Sequence, residues 1–176
     1  MKDLADDILA GNTAIIFDAS KTAFTFEAKN ALARSISEPT EENVIKGAKD
    51  SFIEDLRTNT ALCRKKIRSP YLTIEEIKAG KQTKTTVAIV YMKNIVNDKL
   101  VNEVRERLES IDTDRILTSG IVEEYLVDAK YSVFPQIIYT ERPDKLCVGI
   151  TDGRVGIIID GLPIAYIAPG TMLQFM

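Results

Sequence analysis

One short stretch, Thr140 to Asp144, places an acid, a base, a proline and a second acid directly after an apolar run. Pro143 fits the first position of a helix, and Asp144 favours the positive end of that helix. A strand-to-helix turn therefore explains these two residues but does not require Glu141 or Arg142. The latter pair either bonds to a neighbouring segment, contacts a partner or ligand, or acts in catalysis, which would also need a second polarised group and a pocket.

A second charged stretch, Leu56 to Pro70, predicts a helix with unusual polar residues. Asn59 is a weak helix former near the middle of this helix, so something other than helix propensity keeps it there. Cations in the last turn complement the negative end of the helix dipole, and the same cations could bind phosphate or lipid headgroups. These cations are Arg64, Lys65, Lys66 and Arg68.

Two aspartates, Asp18 and Asp160, each follow an apolar strand. Paired carboxylates are typical of glycosidase or metal chemistry, but aspartates at turns are common without either. The chain has no histidine, which argues against a zinc site and against a serine or cysteine triad. Neither GxGxxG nor GxxxxGK[ST] occurs, so the sequence gives no support for nucleotide binding.

Composition indicates an ordinary globular protein of 176 residues, enough for one domain or two small subdomains. The net charge of -3 does not favour nucleic acid as a partner. Cys63 and Cys147 are predicted to be buried, reduced thiols, with a disulfide or a reactive thiol as the alternative. No signal peptide and no spanning apolar run occur, which predicts a soluble, intracellular piece, and both ends look cut from a longer protein.

The two ends of the chain carry similar patterns. Lys2–Ala10 predicts a short helix ended by Gly11, followed by a hairpin made of TAIIFDA and TAFTFEA. Near the C-terminus, RVGIIIDG and LPIAYIAP predict a second hairpin with an Asp-Gly turn. Gly11–Asp18 resembles Gly153–Asp160, so we interpret helix, glycine, strand, turn and strand as one unit used twice, with chance similarity as the alternative.

The middle of the chain alternates helices and strands. Glu41–Lys46 can open a helix, and Asp50 is predicted to cap the next one. The strand Lys84–Met92 is apolar on both sides of its alternation, which is typical of a central strand covered on both faces. The buried face of the first long helix is predicted from spacings of four, four, three and four: Phe52, Leu56, Thr60, Cys63 and Ile67.

The next helix is predicted to begin after Asn97. Its outer face offers two i,i+4 ion pairs, Glu103–Arg107 and Arg105–Glu109. Its buried stripe comprises Leu100, Val101, Val104, Leu108 and Ile111.

The remaining elements are short. A strand around Ile116–Leu117, a helix from a Ser119 cap to about Ala129, the strand IIY and a helix ended by Gly153 follow in order. The whole pattern predicts an α/β fold: a mixed sheet with helices packed on its faces and β-hairpins near both chain ends. If the strands on either side of the second long helix are parallel, their crossover is expected to be right-handed.

Four motifs occur in a specific order: LRTNTALCRKKIRSP, TKTTVAIVYMKNIVNDKLVNEVRERLESID, FPQIIYTERPD and GRVGIIIDGLPIAYIAP. Together they resemble the soluble N-terminal region of the A subunit of GerA-family spore germinant receptors, with the stage V sporulation protein AF as a close relative. The resemblance runs from about Ile36 to the end, and the first thirty or so residues match more loosely. GAKDSF, at Gly47–Phe52, departs from the Gly-Pro pair that the family often has there.

The resemblance implies a receptor domain that is not an enzyme. It places the parent protein in the inner membrane of a bacterial spore, with this piece soluble on the cytoplasmic side and a membrane region after Met176. Partners would be receptor B and C subunits, and other A subunits, in nutrient-triggered germination. Residues 1–35 would form a short helix and hairpin that complete or link to a preceding subdomain, and residues 36–176 the main α/β subdomain.

Two alternatives stay open: a domain that binds the small-molecule germinant, or an unrelated carboxylate-dependent hydrolase. We predict no catalytic, metal or cofactor residue. Glu141 and Arg142, together with Arg57 and Arg64, are expected to form a buried or interfacial polar network. The residues predicted to contact a partner or ligand are Arg57, Asn59, Arg64, Glu141 and Arg142.

Overall fold

A computed structural model describes residues 4, 5, 8, 13–16, 23–26, 50–80, 82–111, 119–127 and 136–170 of the chain. Within these ranges no helix has the length and apolar character needed to cross a membrane. The strands are β1 (Thr13–Ile16), β2 (Ala23–Phe26), β3 (Leu72–Ala79), β4 (Thr85–Met92), β5 (Ile138–Thr140), β6 (Val155–Ile159) and β7 (Ala165–Ala168). The helices are α1 (Leu56–Lys66), α2 (Asp98–Glu109), α3 (Ser119–Leu126) and α4 (Pro143–Thr151).

Five strands form the main sheet, in the order β3-β4-β6-β7-β5. Every pairing between the described strands of this sheet is antiparallel. The α/β class, the helices on the sheet and the hairpins near both ends are confirmed, and the predicted mixed sheet is refined to an antiparallel one. Strand β4 lies between β3 and β6 and is almost entirely buried, as its two-sided apolar pattern predicts.

The helices pack on both faces of this sheet and give a three-layer sandwich. Alternate side chains of β4 and β6 point to opposite faces, so each face builds its own apolar cluster. One cluster joins the sheet to α2 and α3, with Leu108 and Val122 fully buried. The other joins the sheet to α1 and α4, with Cys63, Leu146 and Ile150 fully buried.

Helix α1 begins later than the sequence predicts. Its N-cap is Asp55, whose side chain accepts a hydrogen bond from the Thr58 N–H at 2.7 Å, and not Asp50. Asp50 instead pairs with Lys66 at 3.1 Å, across the length of the helix. Phe52 is buried in the same cluster as the helix, so the predicted apolar face is correct although its first member precedes the helix.

Helices α2 and α3 confirm most of the predicted pattern. Asn97 caps α2, and Glu103 pairs with Arg107. The Arg107 guanidinium also donates to the Leu126 carbonyl at 2.8 Å, which ties α2 to the end of α3. Ser119 is the first helical residue of α3 and not its cap, and the helix ends at Leu126. The predicted elements at residues 41–46, 116–117 and 128–129 lie outside the described residues.

The two predicted hairpins both form, in different surroundings. Strands β6 and β7 lie inside the main sheet, and Gly161 in their turn has a φ of +85°, a conformation that favours glycine. Gly153 follows α4 with a φ of +86°, as predicted for the residue that ends this helix. Strands β1 and β2 pair with each other in a separate two-stranded sheet and expose large apolar side chains: Ile15, Ile16, Phe24 and Phe26.

Candidate functional site

The turn from β5 into α4 is the centre of the candidate site. Thr140 is buried at the end of β5, and its hydroxyl accepts the Arg142 N–H at 3.0 Å. Pro143 occupies the first turn of α4, as predicted. The Arg142 guanidinium grips Asp144 through two hydrogen bonds, one of them from Nε to Oδ1 at 3.0 Å. The turn is therefore stabilised by an ion pair between Arg142 and Asp144.

This pair is largely withdrawn from solvent, because the Arg142 side chain is 13% exposed and that of Asp144 is 34% exposed. The hydrogen bond from Arg142 lowers the pKa of Asp144, against the opposing effect of partial burial. Asp144 is thus ionised at neutral pH and fully engaged by its partner. That state suits an anchor for the turn and is the reverse of the raised pKa that a general acid needs.

Glu141 links the turn to the segment that precedes α1. Its main-chain carbonyl accepts the Phe52 N–H at 2.8 Å and the Ser51 hydroxyl at 3.1 Å. Phe52 and Ser51 are both buried, so these bonds fix how the segment enters the α1 face of the sheet. The turn consequently joins three parts of the fold: β5, α4 and the start of the α1 segment.

A shallow groove opens beside the turn, between β5 and α4. Its volume is about 250 Å³. Helix α4 lines the groove with Asp144 and Lys145, so both charges stand near the apolar side chains of the groove. Its lining residues are Ile138, Thr140, Asp144, Lys145, Val148 and Ile167.

The residues predicted on α1 do not join this turn through the contacts that the structure gives. Arg57 points outward with a side chain 78% exposed and pairs with Glu76 of β3 at 2.9 Å. Arg64 is also exposed. Asn59 is fully buried, accepts the Ile53 N–H at 2.9 Å and donates to the Ile53 carbonyl at 2.5 Å. Asn59 therefore holds the segment before α1 from inside the fold.

Asp160 has a structural partner that the sequence alone did not indicate. Its carboxylate accepts the Leu56 N–H at 3.3 Å, so it satisfies one of the free donors at the start of α1. The neighbouring Gly161 N–H donates to the Glu54 carbonyl at 2.8 Å. The β6–β7 turn is thus bonded to the entry of α1. Asp18, the other candidate carboxylate, lies outside the described residues.

A second polar cluster, missed by sequence reasoning, lies on the α2 face of the sheet. Glu75 accepts the Tyr91 hydroxyl at 2.5 Å and the Arg105 guanidinium at 2.6 Å. Arg105 also donates to Asn102 at 2.7 Å. The ion-pair partner of Arg105 is therefore Glu75 of β3, whereas the helical spacing had predicted Glu109. The register could have suggested it, because Tyr91 lies opposite Thr73, two residues from Glu75.

This cluster shifts the titration of its members. Burial, with the hydrogen bond to Glu75, raises the pKa of Tyr91 to about 12. Hydrogen bonds from Tyr91 and Arg105 lower the pKa of Glu75. The neutral tyrosine and the charged carboxylate are therefore the forms that the fold stabilises.

A pH-dependent stability follows from Tyr91. Above about pH 10 the tyrosine ionises in the unfolded chain, while the folded protein keeps its proton up to about pH 12. The free energy of unfolding is therefore expected to fall as pH rises from about 10 to about 12. In Tyr91→Phe this fall becomes shallower, which urea unfolding at about pH 9 and about pH 11 measures.

Tyr139→Phe is the matched control for this prediction, because Tyr139 is an exposed tyrosine of β5. Its alkaline loss of stability is expected to equal that of the unchanged chain. Equal slopes in Tyr91→Phe and in the unchanged chain would contradict the role given to the Tyr91 hydroxyl.

The two cysteines are neighbours as well as buried. Cys63 of α1 and Cys147 of α4 are both free, and the Cys147 side chain lies close enough to interact with the Cys63 thiol. That contact, together with burial, raises the pKa of Cys63 well above its usual value, so Cys63 is a protonated thiol at neutral pH. The prediction of buried, reduced thiols is confirmed. In the part of the chain that the structure describes, no three acids or cysteines come together to hold a metal ion.

Comparison with known proteins points to one family. All residues, 1–176, match the family described as Bacillus/Clostridium GerA spore germination protein. Spore germination protein B1 of Bacillus subtilis (strain 168) is 39% identical over 176 residues, which are 100% of this chain and 36% of that protein. Stage V sporulation protein AF of the same organism is 35% identical over 175 residues, 99% of this chain and 36% of that protein.

A solved structure shows the same fold. The crystal structure of the N-terminal domain of the A subunit of the Bacillus megaterium spore germinant receptor GerK3 matches with a TM-score of 0.73 and 35% identity. The match covers 99% of this chain and 62% of that chain. The chain spans about a third of the length of the curated relatives it matches.

Proposed function

Because the chain belongs to the GerA spore germination protein family, we propose that it is the N-terminal domain of a germinant-receptor A subunit and takes part in nutrient-triggered germination. The observation that carries this proposal is the fold match to the GerK3 A-subunit domain, which includes almost the whole chain at 35% identity. The relatives include both a spore germination protein and a stage V sporulation protein, so the proposal applies to this whole group.

In this proposal the domain acts through contacts and not through catalysis. The family is one of germination proteins and is not a known enzyme family. The Arg142 guanidinium holds the Asp144 carboxylate and lowers its pKa, which suits a rigid contact surface better than proton transfer. The domain would assemble with receptor B and C subunits, and with other A subunits, and would relay the state of the assembly to the membrane portion of the receptor.

The parent protein would lie in the inner membrane of the spore, with this domain on its cytoplasmic side. One relative, 35% identical over 176 residues, is named an uncharacterized membrane protein, which supports a membrane context. A fusion of the full-length subunit to a reporter, tested for protease access in inside-out and right-side-out spore membrane vesicles, examines this placement. Cleavage only in right-side-out vesicles would contradict the cytoplasmic side.

The function is tested in spores of the source bacterium that lack the gene. We expect these spores to lose their response to at least one nutrient, measured as the fall in optical density of the suspension, and to regain it when the full-length gene is restored. A matched strain that carries the gene without the segment for residues 1–176 should behave like the deletion. An unchanged response to every nutrient tested would overturn the proposal.

The corner at Glu141 and Arg142 is the proposed contact site for another subunit. It combines a rigid turn with an open groove lined by charged and apolar side chains. Arg57 and Arg64, on the exposed side of α1, are proposed to contact a partner separately from this corner. Asn59 supports that surface from inside, because it holds the segment before α1.

The groove also supports a second candidate function, the binding of a small-molecule germinant. Its volume of about 250 Å³ suits a small solute, and the carboxylate and ammonium groups of Asp144 and Lys145 stand beside apolar side chains. Thermal unfolding with amino acids, sugars and nucleosides distinguishes the two functions. A saturable rise in Tm that Val148→Glu abolishes would favour binding, and no rise with any of these solutes would reject it.

We further propose that residues 1–35 form a unit that packs on protein outside this chain, and residues 36–176 the main subdomain. The β1–β2 hairpin supports this, because a two-stranded hairpin that exposes several isoleucines and phenylalanines is marginal by itself. In the full-length subunit the amides of Ile15 and Phe24 should exchange with solvent more slowly than in the 176-residue chain. Equal exchange rates would count against such packing.

A further inference from the structure

One end of the main sheet carries a group of exposed cations, of which the proposed function uses only Arg64. Three of them lie at and just beyond the C-terminus of α1, and the fourth follows β4. None of the four side chains has a hydrogen bond or ion pair with any part of the chain that the structure describes. We name this set the basic end: Arg64, Lys65, Arg68 and Lys93.

The fold brings these cations together from separate elements. The Lys93 N–H donates to the Tyr71 carbonyl at 2.9 Å, which places the end of β4 beside the start of β3. Helix α1 reaches the same place, because only a short connection separates Lys66 from β3. The four cations therefore lie at the same end of the main sheet, although the whole chain carries a net charge of -3.

Exposed apolar side chains stand among the cations. Tyr71 is 53% exposed, and Ile95, in the turn after β4, is 49% exposed. Ile95 also borders Gly153, so the turn after α4 belongs to this surface. A tyrosine and an aliphatic side chain interleaved with lysine and arginine are typical of surfaces that lie against lipid headgroups.

The acids nearby do not neutralise this surface. Asp50 is bonded to Lys66 and compensates that lysine alone. Asp98 and Asp152 are exposed at the start of α2 and the end of α4. Glu75 is close enough to Lys93 to interact with its charge, but its carboxylate is already bonded to Tyr91 and Arg105. The four cations therefore outnumber the two carboxylates that have no bonded partner among the described residues.

We propose that the basic end is a docking surface for an anionic phospholipid membrane. The exposed cations complement the phosphates of the bilayer surface, and Tyr71 and Ile95 enter the headgroup region. This goes beyond receptor assembly and does not depend on it, because it rests on charge and exposure alone. A nucleic acid fits less well, since the net charge of the chain is negative and the surface is small.

Vesicle sedimentation with the 176-residue chain tests the proposal. At low salt the chain is expected to sediment with phosphatidylglycerol-containing vesicles and not with pure phosphatidylcholine vesicles. Lys65→Gln should lower the partition coefficient about fivefold, and Arg64→Gln/Lys65→Gln/Arg68→Gln about a hundredfold. Tyr71→Ser should weaken the residual binding that persists in high salt.

Lys78→Gln is the control, because it removes another exposed lysine near the far end of β3, roughly 20 Å from the start of that strand. Its partition coefficient should match that of the unchanged chain. The proposal is overturned if vesicles of both compositions bind alike, if Lys78→Gln loses as much binding as Lys65→Gln, or if polyglutamate or duplex DNA competes while Tyr71→Ser changes nothing. The vesicle experiment does not measure germination, so its failure would leave the proposed function untouched.

Discussion

Arg142→Glu is expected to lower the free energy of unfolding by about 3 kcal/mol. The substitution sets a second carboxylate against Asp144 and removes the guanidinium that grips it. Breaking a buried pair costs about 3–5 kcal/mol, and the lower figure applies because Asp144 keeps about a third of its exposure. Urea unfolding at neutral pH measures the change.

Arg57→Glu provides the matched control. It reverses the same kind of residue in another ion pair, but the Arg57 side chain is 78% exposed, so water screens the pair. Its expected effect is below about 1 kcal/mol. Equal losses of unfolding free energy in the two variants would mean that the partly buried position of Arg142 does not make its ion pair more stabilising.

Arg142→Glu also tests the proposed contact of this turn with another receptor subunit. Arg142→Lys keeps the positive charge but loses the bidentate hydrogen bonding to Asp144. It therefore separates the effect of the charge from the effect of the hydrogen-bond geometry. In spores, Arg142→Glu in the full-length subunit is expected to abolish assembly or the nutrient response. A stable domain with normal germination would refute the assignment of Arg142 to an important polar contact.

The acid pH dependence of the pair follows from the lowered pKa of Asp144. A carboxylate whose pKa is lowered by folding stabilises the protein above its unfolded value, near 4, and that stabilisation is lost as pH falls through the folded value. The pair is therefore intact at the neutral pH of the unfolding experiment. It weakens only in acid, below about pH 4.

Apolar spacing predicted the parts of this fold that depend on local pattern. The central position of β4 and the buried stripe of α2 with Val101, Val104 and Leu108 are confirmed, because alternation and helical period follow directly from burial. The hairpin turn at Gly161 is confirmed for a similar reason, since it depends on a conformation that glycine adopts easily.

Polar partners were harder to predict, because they are chosen by the tertiary fold. Arg105 has Glu109 one turn away on its own helix, yet its partner is Glu75 on a strand 30 residues earlier. The start of α1 shows the same effect: Asp55 and Asp160 share its free N–H groups, while Asp50, the favoured cap, is bonded to Lys66. Strand order decides these choices, and a single sequence does not specify strand order.

In the candidate site, too, the local preferences were predicted and the contacts that depend on the tertiary fold were not. Pro143 at the first turn of α4 is a local preference and is confirmed, whereas the closing of Arg142 on Asp144 two residues later depends on the turn geometry. The groove beside it exists only because β5 lies at the edge of the sheet, next to β7. Sequence spacing does not predict which strand lies at the edge of a sheet.

Asn59→Leu is expected to destabilise the domain by about 3 kcal/mol. The Asn59 amide is fully buried and bonds to both the N–H and the carbonyl of Ile53, so leucine leaves two main-chain groups without their partners. Each buried group without a hydrogen bond costs about 1–3 kcal/mol. Two such groups cost about 2–6 kcal/mol, and partial solvent access at Ile53 keeps the sum in the lower half of that range.

Asn102→Leu is the control for Asn59→Leu, because it makes the same change at an exposed helical position and should alter stability by less than about 0.5 kcal/mol. Hydrogen exchange adds a local readout: the Ile53 amide should lose its protection in Asn59→Leu while the amides of β4 keep theirs. If the Ile53 amide stays protected and unfolding is unchanged, another contact holds the segment before α1. If protection is lost, Asn59 occurs in α1 despite its weak helix propensity because its side chain fixes the segment before α1. That segment is bonded to the turn at Glu141.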